Sequence, residues 1–161
     1  VTRLTDVALT VMTADCLPVL FCDRAGTVVA TAHAGWRGLC DGVLEQTVAA
    51  MQVPSQEILV WLGPAIGATA FEVGAEVRAH FIQQDPAATS AFVSSTLSAP
   101  EDDKWLGDLF LLARQRLARV GVLQVYGGQL CTYSDPEQFY SYRRDGQTGR
   151  MSGLIWLMAQ N

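Results

Sequence analysis

Cys16 and His33 are the two side chains of this sequence best suited to chemistry. Cys16 lies in Thr13-Ala14-Asp15-Cys16-Leu17-Pro18, where the proline keeps the residue before it extended and a strand end can present a thiol to a cleft. A thiolate there is a nucleophile or a soft metal ligand, although an isolated cysteine is more commonly a small buried hydrophobe. His33 is one of only two histidines and closes an apolar run just before a glycine-rich turn. A hairpin about Arg24-Ala25-Gly26 brings the end of its second strand beside the start of its first, and so His33 within reach of Cys16. Such a pair supports two chemistries. One is a dyad with an activated thiolate; the other is two ligands of one metal ion, for which a catalytic zinc site needs a third.

Other residue groups suit ligand binding. In Gly35-Trp36-Arg37-Gly38 the glycines permit close approach of a ligand and a helix start offers free N–H groups to an anion. Arg37 adds a planar fork suited to phosphate or carboxylate, its plain alternative being a solvated arginine in a strand-to-helix turn. A second glycine-punctuated loop, Gly63-Pro64-Ala65-Ile66-Gly67, leads to Phe71-Glu72-Val73-Gly74. Glu72 suits a sugar hydroxyl or a proton transfer, while a helix-entry carboxylate is the commoner role. Cys131-Thr132-Tyr133 and the stretch from Phe139 through Arg143 and Arg144 to Asp145 supply aromatic and guanidinium groups able to clamp a flat base. The same stretch also reads as an ordinary strand with a solvated Arg-Arg-Asp end. His80, mid-helix beside Phe81, reads as structural.

The elements that must position these residues follow from apolar periodicity. Residues 7–12, 19–21 and 28–32 read as buried strands, the last two forming the hairpin. Leu39, Val43, Thr47 and Met51 give the stripe of an amphipathic helix that Pro54 ends. Residues 58–62 predict a strand and 75–83 a helix, whereas 85–104 predict surface turns with at most a short helix. Asp108 reads as the N-cap of a helix to about Val120, with Gly121 past its end. Residues 122–126, 139–142 and 154–158 supply the last strands. Strands and helices alternate without a βαβ rhythm, which predicts an α+β fold.

Bulk properties narrow the function classes. The 161 residues are enough for one domain, and with half of them apolar and 17% charged they can fill a core. A net charge of −5, with no basic cluster beyond Arg143 and Arg144, argues against a nucleic-acid polymer as partner. No apolar run approaches the ~18–20 residues of a membrane span, and the first residues lack the layout of a signal peptide. Four cysteines without a CxxC pair fit a reducing, cytoplasmic setting.

Taken in order, the stretches from Thr13 to Phe21, Ala32 to Gly38, Trp61 to Gly74, Asp108 to Val122, Cys131 to Tyr133 and Phe139 to Met151 resemble the YfiH-like family. This family is also described as multicopper polyphenol oxidoreductase, laccase-domain or purine nucleoside phosphorylase proteins. The resemblance implies layered, mixed β-sheets with helices outside, a fold shared with a toxin deamidase domain. It implies a cytoplasmic zinc enzyme that phosphorolyses adenosine, inosine and methylthioadenosine and deaminates adenosine. Copper-dependent phenol oxidation and Cys-His hydrolysis in peptidoglycan-precursor editing are the alternatives ascribed to the family. Cys16 and His33 match two of its metal ligands and are the candidate catalytic residues; Gly35, Arg37, Gly38, Glu72 and Arg143, singled out above from their own chemistry, are the candidate substrate-binding residues. The family's third ligand is a histidine in an upstream Gln-x-His-Gly stretch, which this sequence lacks. The chain begins at Val1, and the expectation is a single domain over 1–161 without its N-terminal segment.

Overall fold

The structure is a computed structural model, and it describes residues 1–159. Two strands, β2 (Leu17–Asp23) and β3 (Val29–Ala34), form the expected antiparallel hairpin, with Leu17 opposite Ala34 and Pro18 opposite His33. Its turn is fastened by Asp23, whose carboxylate accepts from the Thr27 and Val28 N–H groups and the Thr27 hydroxyl at 2.6–3.0 Å. β2 also pairs antiparallel with β4 (Ile58–Leu62), which pairs parallel with β8 (Gln124–Gly127). The result is a mixed sheet of order β3-β2-β4-β8.

Alternation gives this sheet two different faces. Leu17, Val19, Phe21, Ile58, Val60 and Leu62 point to one side and are fully buried. They meet helices α1 (Trp36–Cys40), α2 (Val43–Met51) and α4 (Leu109–Arg119) through Leu39, Leu44, Met51, Leu112 and Leu117. Over the other face lies a two-stranded ribbon in which β1 (Ala8–Thr13) pairs antiparallel with β9 (Met151–Trp156). A third, antiparallel sheet of order β5-β7-β6 comprises β5 (Glu72–Gly74), β6 (Phe92–Ser94) and β7 (Lys104–Gly107), with α3 (Ala75–Gln84) against it. The architecture is therefore the expected layered α+β fold, with one mixed and two antiparallel sheets.

Five sequence expectations change. The single helix expected up to Met51 is two helices, because Gly42 takes φ = +87° between Cys40 and Val43, a conformation that interrupts the helical ladder. The surface turns expected at 85–104 contain a 3₁₀ segment, Pro86–Ala91, and the short strand β6. The strand expected at 139–142 is absent. Ser141 instead accepts from the Arg144 N–H at 3.2 Å and caps a one-turn helix, α5 (Tyr142–Asp145). Arg144 is likewise no solvated end: its guanidinium donates to the carbonyls of Thr132, Tyr133 and Phe139 at 2.8–3.0 Å and pairs with Asp145. The last strand is also shifted, ending at Trp156 rather than at 158. Among the described residues no helix is long and apolar enough to cross a membrane.

Candidate active site

Hairpin register brings the two leading residues together. Cys16 immediately precedes β2, and His33 lies opposite Pro18 near the end of β3. Ala32 and Ala34 are buried beneath the sheet, so alternation turns the His33 imidazole outward. Gly35 separates the two groups. A Cβ on Gly35 would lie 3.0 Å from Cys16 Sγ and 3.9 Å from His33 Cδ2, so the thiol and the imidazole flank one small space that any side chain at 35 would fill. Here glycine is required for room; the Gly35 backbone is extended, with φ = −63° and ψ = 160°.

Cys16 and Gly35, on the thiol side of that space, also line a cavity of about 330 Å³. Asp15, Cys16 and Gly35 form one wall, followed by Trp36 and Arg37 from α1. Ile66, Phe71 and Leu109 give it an apolar floor, and Tyr142 and Arg143 of α5 close the far side. Its size is in the range of small-molecule sites, ~300–1,000 Å³, and an apolar lining with a few converging charges is their usual composition. Arg37 lies over the Trp36 ring at 4.4 Å, and on another flank the His80 imidazole stacks on Trp36 at 6.4 Å and 24°. His80 thus serves the cavity wall indirectly, through Trp36.

Not every residue suggested by the sequence faces the cavity. Cys16, Gly35, Arg37 and Arg143 do, whereas His33 does not line it and meets it only across Gly35. Gly38 lies behind the wall, where its Cβ would touch the His33 carbonyl oxygen at 3.5 Å and Val43 at 3.7 Å. Glu72 directs its carboxylate to the hydroxyls of Ser95 and Ser98, which hold its pKa below the ordinary carboxylate value. Its carbonyl oxygen, by contrast, accepts from Arg143 Nη1 at 2.9 Å and so helps to aim that guanidinium.

Electrostatics separate the cysteines. Burial pushes the Cys16 thiol pKa up and the Asp15 carboxylate pushes it further, with Arg150 opposing. Burial and Asp15 thus favour the neutral Cys16 thiol over the thiolate, and a cation beside it would act in the opposite direction. Cys131 differs: burial raises its pKa, but hydrogen bonds from the Ser134 hydroxyl and the Gly67 N–H, both at 3.2 Å, outweigh that and lower it. A thiol and an imidazole across one small space are both zinc-type donors and fit two positions of such a site. Among the described residues no group of three His, Cys, Asp or Glu side chains forms a metal cluster.

Sequence reasoning missed the apolar floor and the part played by Asp15. Ile66 and Leu109 carry no chemical signature, since an apolar residue at a cavity reads like any core residue. Asp15 was legible only as an acid beside a cysteine.

Comparison with known proteins shows the family. Residues 1–158 match the family model described as multi-copper polyphenol oxidoreductase laccase. Purine nucleoside phosphorylase YfiH of Escherichia coli K12 is 60% identical over 148 residues, covering 92% of this chain and 58% of that protein. A purine nucleoside phosphorylase of Pseudomonas aeruginosa is 58% identical over 151 residues, covering 94% and 61%. A crystal structure from Neisseria meningitidis superposes with a TM-score of 0.91 at 57% identity over 98% of this chain and 63% of its own. YlmD from Geobacillus stearothermophilus gives 0.89 at 30% identity, covering 98% and 59%. The chain thus spans about three-fifths of the length of these relatives. With these matches and the Cys16–His33 hairpin, the chain belongs to the multi-copper polyphenol oxidoreductase laccase family, the YfiH-like family its motifs resemble.

Proposed function

We propose that this chain carries the reaction site of a purine nucleoside phosphorylase that converts a purine nucleoside and inorganic phosphate into free base and ribose 1-phosphate. Adenosine, inosine and methylthioadenosine are the proposed nucleosides, and zinc is the proposed metal, held by Cys16 and His33 with a further ligand. The observation that carries this reading is the cavity in which Cys16 and Gly35, with His33 beside Gly35, meet Arg37 and Arg143. It is supported by 60% identity to a protein named purine nucleoside phosphorylase.

The cavity's parts divide the work. Trp36, Phe71 and Tyr142 offer aromatic surface to a planar base. Arg37 and Arg143 offset the charge of phosphate, and their planar forks orient its oxygens towards the ribose C1′. A phosphate oxygen forms the new bond to C1′ as the glycosidic C–N bond breaks, and the purine leaves with the electron pair and takes up a proton. The apolar floor of Ile66 and Leu109 excludes water, which would otherwise give hydrolysis. When bound, zinc supplies positive charge and Lewis acidity at the Cys16–His33 end. Deamination of adenosine is proposed for the same site, water adding at purine C6 and ammonia leaving.

Metal analysis and product chromatography test the proposal. The protein should bind zinc and, with phosphate, release adenine from adenosine and hypoxanthine from inosine together with ribose 1-phosphate. Cys16→Ser and His33→Ala should each lower zinc affinity and turnover roughly 100-fold or more, since altering even the groups behind metal ligands costs ~10–100-fold. Zinc should also shield Cys16 from iodoacetamide. No zinc uptake together with no released base or inosine would sink the reading, and rapid labelling of Cys16 in the zinc-loaded protein would favour a cysteine hydrolase instead.

A further inference from the structure

Asp15 is a buried carboxylate, 8% exposed, whose two oxygens are committed to partners far away in sequence. Oδ1 accepts from the Thr132 hydroxyl at 2.6 Å, and Oδ2 accepts from the Arg143 backbone N–H at 2.7 Å. Thr132 is fully buried and follows the single bridge that joins Cys131 to Ala65, with the Thr132 N–H bonded to the Ala65 carbonyl at 3.0 Å. Arg143 is the second residue of α5, and its amide belongs to the helix's first turn, which has no partner within the helix. The Asp15 carbonyl meanwhile accepts from the Ile66 N–H at 2.9 Å. One residue therefore joins the Cys16 turn to three segments, two of which bring Ile66 and Arg143 to the cavity.

Backbone conformation shows that more than chain geometry is involved. Asp15 has φ = +96°, a region that glycine enters freely and other residues enter at a cost. A turn needing only this conformation would be best served by glycine. The side chain present instead ends on two donors, the buried Thr132 hydroxyl and the part-buried Arg143 N–H, for which it is the acceptor.

We propose that Asp15 is a positioning residue: by holding α5 through the Arg143 amide and the 131–133 loop through Thr132, it fixes the Arg143 guanidinium against the cavity and so sets ligand affinity. The structural part of this proposal stands on the hydrogen bonds alone; its kinetic part rests on the function proposed above.

Two substitutions separate the side chain from the turn. Asp15→Gly suits φ = +96° but removes both acceptors. Asp15→Asn tolerates the same backbone, and its carbonyl can accept from the Arg143 N–H while its NH₂ donates to the Thr132 oxygen. In the protein, amide hydrogen exchange at Arg143 should accelerate roughly 10-fold or more in Asp15→Gly, as expected for loss of a bond to a charged acceptor, and stay within about 3-fold of wild type in Asp15→Asn. The Val19 and Phe21 amides of β2 serve as the internal reference and should not change. Thr132→Val should accelerate exchange at Arg143 as well and Thr132→Ser should restore it, so the proposal stays testable if Asp15→Gly fails to fold. In phosphorolysis, Asp15→Gly should raise the KM for inorganic phosphate about 10-fold while kcat changes less than about 3-fold, with Asp15→Asn restoring KM, since a lost guanidinium contact is a loss of binding. Unchanged exchange at Arg143 in both Asp15→Gly and Thr132→Val, or equal acceleration in β2, overturns the positioning role. A chain that shows the exchange pattern but no phosphorolysis keeps Asp15 as the anchor of Arg143 and removes only the function.

Discussion

At the residue scale the site depends on small distances set by neighbours. Gly35 leaves room between a thiol and an imidazole, and the register of one hairpin puts them there. The same hairpin provides the clearest acid-sensitive group at its other end. Burial of Asp23 would raise its pKa, but the Thr27 hydroxyl and the N–H groups of Val28 and Thr27 outweigh burial and lower it. A carboxyl whose folded pKa is depressed contributes stability above its unfolded value of ~3.9, and that contribution is lost as pH falls through the folded value. Urea unfolding should therefore show Asp23→Ala costing about 2 kcal/mol at pH 7, the order expected for unpaired buried donors facing a lost charged acceptor. The difference from wild type should shrink as pH falls from the unfolded value through the lower folded one, as both states of the wild-type carboxyl come to bind the proton. A difference that is constant with pH would show that the carboxylate form is not what stabilises the turn.

At the element scale, the strand ends matter more than the strands. β4 and β8 run parallel and end together at Leu62 and Gly127, where the glycine-rich loops leave the sheet. Gly127 has φ = +72°, and a Cβ there would lie 2.3 Å from the Leu62 carbonyl oxygen. Gly127→Ala should therefore destabilise the protein by about 2 kcal/mol or more, combining left-handed strain with a backbone clash that no side-chain movement relieves. Chemical denaturation measures this, and a cost below about 0.5 kcal/mol would mean that the loop accommodates the methyl group. The helices follow the same logic. Asp108 accepts from the Leu111 N–H at 2.9 Å, as its place in the sequence indicated, so α4 starts where Leu109 can reach the cavity floor. Ser141 does the same for α5, but there the apolar and aromatic run before it imitates a strand.

At the scale of the whole molecule, buried Arg116 links the helical layer. Its guanidinium donates to the Cys40 carbonyl at 2.9 Å, Gln84 at 2.8 Å and Glu45 at 3.2 Å, joining α4 to the ends of α1 and α3 and the start of α2. Arg116→Met keeps the aliphatic stem and removes every one of these bonds, leaving Glu45 without its cation. The expected loss is about 2–3 kcal/mol of global stability, because breaking a largely buried pair costs more than the pair's net worth. Thermal and urea unfolding should shift together with an unchanged m-value. Loss of secondary structure in one helix alone would place Arg116 in local rather than global cohesion.

The sequence by itself determined the hairpin, the amphipathic helix faces, the Asp108 cap and the neighbourhood of Cys16 and His33. These depend on contacts between residues close in the chain, and local pattern encodes such contacts. Tertiary structure alone decided the pairing of β1 with β9, the three-stranded sheet built from β5, β6 and β7, and the enclosure of Arg37 and Arg143 around one cavity. It also decided the partners of Asp15, 117 and 128 residues away. Such pairings depend on which apolar faces remain to be buried once the local elements exist, and no spacing in the chain records that choice.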